Sequence, residues 1–308
     1  MSKNQDSDCR FLRSINTEKA ALSIYKAGIP RMSYSPSLLT ICKRLSTVMS
    51  TSIADVTCAV PGVFRSLPSI LSVLEEHSKE REVLELLEIY HRDASKTTSE
   101  TSKTNSNVNY SNHPLVVFEG LDGSGKSLLT KLTAKELGGV KSSTPPESVK
   151  HLRPYFDGTG VDRVLRRAFY SLGNYLAARD LQRLLESSPV VMDRFWHSTA
   201  AYAIAVKDSC EIPENTFAWP SDLLQPDLVV FLTVSEDVRL ERMSRRKNFT
   251  LEEDKLKENS AYRQRLTDTY AKMKKPSLKF VNCDRKAKVV VEDVMTLLRD
   301  VKSGGLSS

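Results

Sequence analysis

The 308-residue chain is 40% hydrophobic and 27% charged, the balance of a soluble globular protein, and it holds no apolar run of the ~18 residues that a membrane-spanning helix needs. Its formal charge of +7 and pI of about 9.1 favour acidic partners: nucleic acid, an anionic membrane surface or a phosphorylated small molecule. The five cysteines, Cys9, Cys42, Cys58, Cys210 and Cys283, form no Cys-x-x-Cys pair and have no histidines at zinc-ligand spacing, so they read as reduced thiols in an intracellular compartment.

In chain order, residues 1–50 carry Arg10, Arg13, Lys19, Lys26, Arg31, Lys43 and Arg44 among many serines, which leaves two readings open: an organelle-targeting segment or a poorly ordered extension. Residues 51–92 read as a helical extension. Leu67, Ile70, Leu71 and Leu74, then Val83, Leu84, Leu87 and Tyr90, recur at spacings of three and four, and the charged run Glu75 to Glu82 reads as the same helix on a solvated face. Residues 93–113 are dominated by Ser, Thr, Asn and Lys and read as a disordered linker, because they bury too little apolar surface to offset the entropy of ordering.

From residue 114 to 303 the pattern changes to short apolar runs alternating with helical stretches, the mark of parallel strands joined by crossover helices. Four strands are predicted: Leu115 to Glu119, Val190 to Met192, Leu228 to Val234 and Lys279 to Asn282. The first runs into Gly120-Leu121-Asp122-Gly123-Ser124-Gly125-Lys126-Ser127, which satisfies G-x-x-x-x-G-K-[ST] at every position. Such a loop aims consecutive backbone N–H groups at a triphosphate; Lys126 would reach the β and γ phosphates and Ser127 would ligate Mg²⁺. Leu128, Leu129, Leu132 and Leu137 predict a core-facing helix after it, stopped by Gly138 and Gly139.

Val161 to Leu185 is a helix by its apolar spacing, and Gly173 in its middle marks close approach of something, read here as an acceptor base beside Phe169 or Tyr170. The second apolar strand ends in Asp193-Arg194-Phe195-Trp196-His197-Ser198, a carboxylate and a guanidinium that can serve Mg²⁺ and phosphate together. His197 and Trp196 read as packing residues, because phosphoryl transfer depends on positioning and electrostatics more than on a base. Ser235 to Lys247 opens with a capping residue and acids and closes with bases, so it is a helix whose arginines either face solvent or form a mobile lid. No N-K-x-D guanine-reading segment occurs.

The loop Phe118-Glu119-Gly120-Leu121-Asp122-Gly123-Ser124-Gly125-Lys126-Ser127 with the later Asp193-Arg194-Phe195 resembles the thymidylate kinase family. Arg166 to Tyr175, Asp193 to Ala200 and Pro226 to Val234 are similar, within it, to the mitochondrial UMP-CMP kinases of thymidylate-kinase type. The resemblance implies an α/β P-loop three-layer fold, a five-stranded parallel sheet flanked by helices, preceded by a mostly helical, non-catalytic N-terminal extension. It further implies ATP and Mg²⁺, a nucleoside monophosphate as partner (UMP, CMP, dUMP, dCMP, with dTMP in range) rather than nucleic acid, room for a homodimer, and a mitochondrial address with a cytoplasmic one as the alternative.

Within that frame Lys126, Asp193, Arg194, Arg242 and Arg246 are the candidate catalytic residues, with Gly120 to Ser127 holding ATP and Ser127 with Asp193 holding the metal. Arg242 and Arg246 are assigned to close over ATP, since this loop carries Gly123 and Ser124 where some thymidylate kinases place an arginine; Arg245 is a weaker candidate. Asp122, Arg153, Arg166, Phe169, Tyr170 and Asn174 are the candidate acceptor residues. Asp122 either faces the acceptor sugar or stabilises the loop as an Asx residue. The family's arginine beyond its stacking Phe is replaced by Leu172-Gly173-Asn174, so Arg153, Arg166 or Arg194 must supply the charge, and Asn174 could read a pyrimidine edge. Two rivals stand: a deoxynucleoside kinase, and a nucleotide-binding interaction protein without turnover.

Overall fold

The computed structural model describes residues 60–101, 113–206, 212–245 and 259–303, all within one compact unit, Cys58–Ser308. The expectations for residues 1–50, for residues 102–112 of the linker and for Arg246 lie outside the described residues. Five strands, β1 (Leu115–Gly120), β2 (Val140–Ser143), β3 (Val190–Asp193), β4 (Leu228–Thr233) and β5 (Leu278–Asn282), form a parallel sheet in the order β2-β3-β1-β4-β5.

β1 is buried at all six residues because β3 and β4 flank it and helices cover both faces. Side chains alternate between the faces. Leu115 and Val117 join Val190, Met192, Val229 and Phe231 in one core, while Val116 and Phe118 join Val191, Leu228, Val230 and Leu232 in the other. The fifth strand, β2, has the sequence Val-Lys-Ser-Ser and no buried residue. An edge strand of that composition leaves no apolar run, so the periodicity that finds the other four passes over it.

Between the strands run α3 (Lys126–Glu136), the single-turn helices α4 (Glu147–Lys150) and α5 (Arg153–Phe156), α6 (Arg163–Leu185), α7 (Trp196–Ile204), α8 (Glu236–Ser244) and α9 (Ser260–Ala271), with a 3₁₀ turn at Glu214–Phe217, and α10 (Ala287–Lys302) follows β5. Asp162 caps α6, its carboxylate accepting from the N–H groups of Val164 at 2.8 Å and Leu165 at 3.2 Å. On α3 the core side is Leu129, Thr130, Thr133 and Ala134, and Leu132 and Leu137 are partly buried; Leu128, expected to face the core, is 55% exposed. The apolar stripe is there, but Leu128 falls beside it.

The N-terminal extension departs from expectation twice. Leu67 to Tyr90 is two helices, α1 (Leu67–Glu76) and α2 (Arg81–Thr101), separated by a turn in which Glu80 N–H donates to His77 O at 3.0 Å. No apolar side chain lies between Leu74 and Val83, so only a reversal brings both stripes onto the same core, where Ile70, Leu74, Val83, Leu86, Leu87 and Tyr90 are buried. α2 also continues to Thr101, into the stretch read as linker. Docking supplies what composition lacks: Arg179 of α6 donates to Asp93 at 3.1 Å and to Tyr90 O at 3.3 Å, and lies 4.6 Å from the centre of the Tyr90 ring. No described helix is long and apolar enough to cross a membrane.

Candidate active site

The phosphate-loop segment sits at the junction of β1 and α3, where the sequence places it. Gly120, Gly123 and Gly125 all have positive φ. At Gly123 the reason is also a neighbour: a Cβ there would lie 2.9 Å from both Cγ and the carbonyl oxygen of Arg239, so glycine lets α8 press against the loop from behind. Arg239 is fully buried, donating to both carboxylate oxygens of Glu236 at 2.7 and 2.8 Å and to Asp122 O at 3.2 Å.

Lys126 is 7% exposed and its Nζ donates to the carbonyls of Gly120 at 2.9 Å and Leu121 at 2.8 Å. Burial, with Arg194 nearby, pushes its pKa down to about 8 against the pull of the carboxylates of Asp122, Asp193 and Glu119. A triphosphate tail would offer this ammonium stronger acceptors than two neutral carbonyls. Ser127 Oγ donates to Asp193 Oδ2 at 2.6 Å, so a hydroxyl and a carboxylate share one spot at the ends of β1 and β3.

Arg194, just past β3, has φ of 66°, a left-handed conformation that an arginine holds only when its surroundings over-determine it. They do. Its N–H donates to Phe118 O at 3.0 Å, and the next two N–H groups that matter, Phe195 at 2.9 Å and Ser198 at 3.2 Å, donate to Glu119 Oε1. The Ser198 hydroxyl donates to Glu119 Oε2 while accepting from Arg194 Nη1 at 3.0 Å, and Tyr270 donates to Glu119 Oε2 at 3.3 Å. Burial raises the pKa of the Glu119 carboxyl, opposed by those donors. The other end of Arg194, Nη2, pairs with Asp122 Oδ1. Although burial works against it, this pairing holds the guanidinium firmly charged.

Asp122 lies within reach of both segments, through Lys126 of the loop and Arg194 past β3. Its carboxylate faces the cleft, bound by Arg194, 3.9 Å from Lys126 Nζ and 3.4 Å from Tyr202 OH, and so ties the phosphate loop to the end of β3.

From the loop the cleft, of about 390 Å³, continues to a second compartment bounded by Ser143 to Pro145, by Lys150 and Arg153 of α4 and α5, by Arg167 and Tyr170 of α6 and by Thr199 and Tyr202 of α7. Arg153 Nε donates to Asp157 at 3.0 Å and to Tyr170 OH at 3.1 Å, and Tyr170 OH donates to Asp157 at 2.8 Å, which fixes the arginine at the wall. Arg167 and Arg194 approach the Tyr202 ring from 5.9 and 5.8 Å.

Three of the acceptor candidates stand away from the lining. Arg166 donates to the carbonyls of Phe156 at 2.8 Å, Asp157 at 3.0 Å and Gly158 at 3.1 Å, closing the end of α5. Phe169 is fully buried, stacked on Phe156 with centroids 4.2 Å apart. Asn174 is fully buried too, with Nδ2 donating to Thr199 Oγ1 at 3.1 Å, one layer behind the wall. Gly173 does mark a close approach, but of protein: its Cβ would lie 3.3 Å from Pro145 Cβ, on the loop that edges the cleft. Of the lid candidates, Arg242 spends its donors on Ser124 O at 3.2 Å and Cys283 O at 2.7 Å, tying the loop to the end of β5, and exposed Arg245 pairs with Glu241 at 2.5 Å. Burial pushes His197 down to about 3, so it is a neutral packing group between Trp196 and Trp219.

The family model described as thymidylate kinase matches residues 118–294, more than half of the chain. The chain belongs to the thymidylate kinase family. It is 34% identical over 193 residues to the human protein named UMP-CMP kinase 2, mitochondrial, covering 60% of this chain and 42% of that one. It is 31% identical over 201 residues to a thymidylate kinase of Leptospira interrogans, covering 61% of this chain and 95% of the relative. The chain thus spans less than half the length of the human relative. A solved thymidylate kinase from Candida albicans overlays with a TM-score of 0.49 at 20% identity, over 62% of this chain and 92% of its own.

Within this thymidylate-kinase fold the cleft residues that sequence reasoning missed include Lys150, Arg167, Thr199 and Tyr202. Arg167 had a signal: it precedes Tyr170 by three residues and so shares its helical face. Glu119 had none, since its partners lie more than 70 residues away.

Proposed function

We propose that this chain transfers the γ-phosphoryl group of Mg-ATP to the phosphate of a pyrimidine nucleoside monophosphate. One observation carries the reading. The cleft is lined by Lys126, Lys150, Arg153, Arg167 and Arg194 but by only two carboxylates, Asp122 and Asp193. That surplus of positive charge extends beyond what one triphosphate on the loop would use, and a phosphorylated acceptor is the natural complement.

Lys126 and the loop amides would hold the donor, with Arg153, Arg167 and Lys150 gripping the acceptor phosphate and Arg194 between the two. An acceptor oxygen bonds to the γ-phosphorus as the bond from that phosphorus to the β–γ bridging oxygen breaks, and ADP leaves with the electron pair. Arg194 and Lys126 offset the charge that two phosphate groups bring together. Ser127 and Asp193 are the oxygens this chain offers Mg²⁺, which bound there would offset the charge of the donor phosphates.

A coupled assay on the full chain with UMP, CMP, dUMP, dCMP, dTMP, uridine and deoxycytidine tests the reading. Turnover of at least one monophosphate and of neither nucleoside is expected. Turnover confined to nucleosides would make it a deoxynucleoside kinase, and ATP binding with no turnover at all would leave a nucleotide-binding interaction protein. The mitochondrial name of the human relative, together with the basic residues of segment 1–50, supports a mitochondrial address. Residues 1–50 fused to a fluorescent protein should enter mitochondria; cytosolic fluorescence would dismiss that address.

A further inference from the structure

We infer that the N-terminal helices α1 and α2, with the segment of chain before them, brace the acceptor compartment from behind its lining and position its cations. The inference rests on the reading of that compartment as an acceptor-phosphate site. Residues 60–101 precede the stretch that matches the family model, residues 118–294, yet share a hydrophobic core with it.

Two of the three cations concerned, Lys150 and Arg153, stand on α4 and α5, helices of four residues each. A single turn has almost no stability of its own, so its place is set by what it packs on. Here that is α2. Val149 of α4, Leu152 between the two turns and Phe156 of α5 are buried in the same core as Val83, Leu86 and Leu87. Polar ties fix the register. The Tyr155 hydroxyl, two residues beyond Arg153, donates to the Glu80 carboxylate at the start of α2, and His151 Nε2, next to Lys150, pairs with Glu85 at 2.8 Å.

The third cation is held from the same side. Gly62 lies against the aliphatic stem of Arg167: a Cβ at 62 would sit 2.9 Å from Arg167 Cγ and 3.1 Å from its Cβ. Nearby, Trp196 Nε1 donates to Phe64 O at 3.2 Å, which seats this segment on α7, the helix that carries Thr199 and Tyr202. By contrast Lys126, Ser127 and Asp193 take their ties from the phosphate loop and β3. The extension therefore acts on one half of the cleft, and loosening it should weaken the acceptor without touching the donor.

The test uses the full chain with Glu80→Ala, Glu85→Ala, Tyr155→Phe and the Glu80→Ala/Tyr155→Phe pair, measured with the monophosphate that the wild type turns over fastest. Each single variant should raise KM for the monophosphate roughly threefold to tenfold, the penalty of a small misplacement of binding groups, with kcat and KM for ATP unchanged. The pair should be no worse than its worse single, because both remove one contact. Monophosphate KM within twofold of wild type in every variant overturns the inference. So does an equal rise in both KM values, which would mark a general loss of order. A wild type that turns over no monophosphate overturns the functional reading and this inference with it, whereas an active wild type with unmoved KM overturns this inference alone.

Discussion

Lys126→Met should lower phosphoryl transfer by about 10³-fold, the scale of losing a charged donor aimed at the reacting phosphates. It should also move stability in a direction opposite to function. The ammonium is buried on two neutral carbonyls, with its pKa near 8 against an unfolded value of 10.5. Below pH 8 both folded and unfolded states carry the proton and the wild type bears the full penalty of the buried charge. Between pH 8 and 10.5 the unfolded state holds a proton that the folded state lacks, so wild-type stability rises with pH across that window. The variant has no such group, so its advantage over wild type is greatest at pH 7 and shrinks towards pH 10.5, by up to about 3 kcal/mol. Denaturant unfolding of both proteins at a series of pH values reads this double difference, in which other titrating groups cancel. A difference that does not change with pH would show that Lys126 is solvated in the folded state. Mg-ATP binding to wild type at pH 9 should take up a proton, visible as a heat that varies with the ionisation enthalpy of the buffer.

The second large effect is expected at Arg194. Arg194→Ala should reduce kcat by about 10³-fold or more, as loss of a guanidinium between two phosphate sites does in other phosphoryl transfers. Arg194→Lys keeps the charge but cannot reach Asp122 and the Ser198 hydroxyl at once, as the fork of Arg194 does. It should recover only part of the rate. A backbone readout accompanies these: with φ at 66°, Arg194→Gly should be about 1 kcal/mol more stable than Arg194→Ala while being equally inactive. Stopped-flow transfer rates and thermal unfolding of the three variants separate charge from conformation. Activity of Arg194→Ala within tenfold of wild type would remove the guanidinium from the mechanism.

What the sequence makes legible is local. The loop Gly120 to Ser127 is read residue by residue because its chemistry is contiguous, and β1, β3, β4 and β5 announce themselves as apolar runs. β2 has no apolar run to announce, and its place at the sheet edge makes none necessary. The growth of α2 past Tyr90 is supported from α6, by Arg179, which lies 89 positions from Tyr90 and 86 from Asp93. That Arg167 and not Arg166 lines the cleft turns on a rotation of α6 that apolar spacing does not fix, because α6 is buried over most of its circumference. Arg242 donates to Ser124 O and Cys283 O, partners on distant segments that the periodicity of its own helix does not reveal.

The pairing of β1 with β3 sets Leu115 beside Val190, Val117 beside Met192 and Phe118 beside Asp193. Both strands are greasy above and below, so sliding one past the other by a single residue would exchange one aliphatic layer for another, and oil-seeking alone is nearly indifferent to the slip. The polar stitches at the strand ends, Ser127 to Asp193, Phe195 N–H to Glu119 and Arg194 to Asp122, are satisfied in one alignment only. The groups that would handle phosphate are thus also the fiducial marks by which the centre of the sheet finds its alignment during folding.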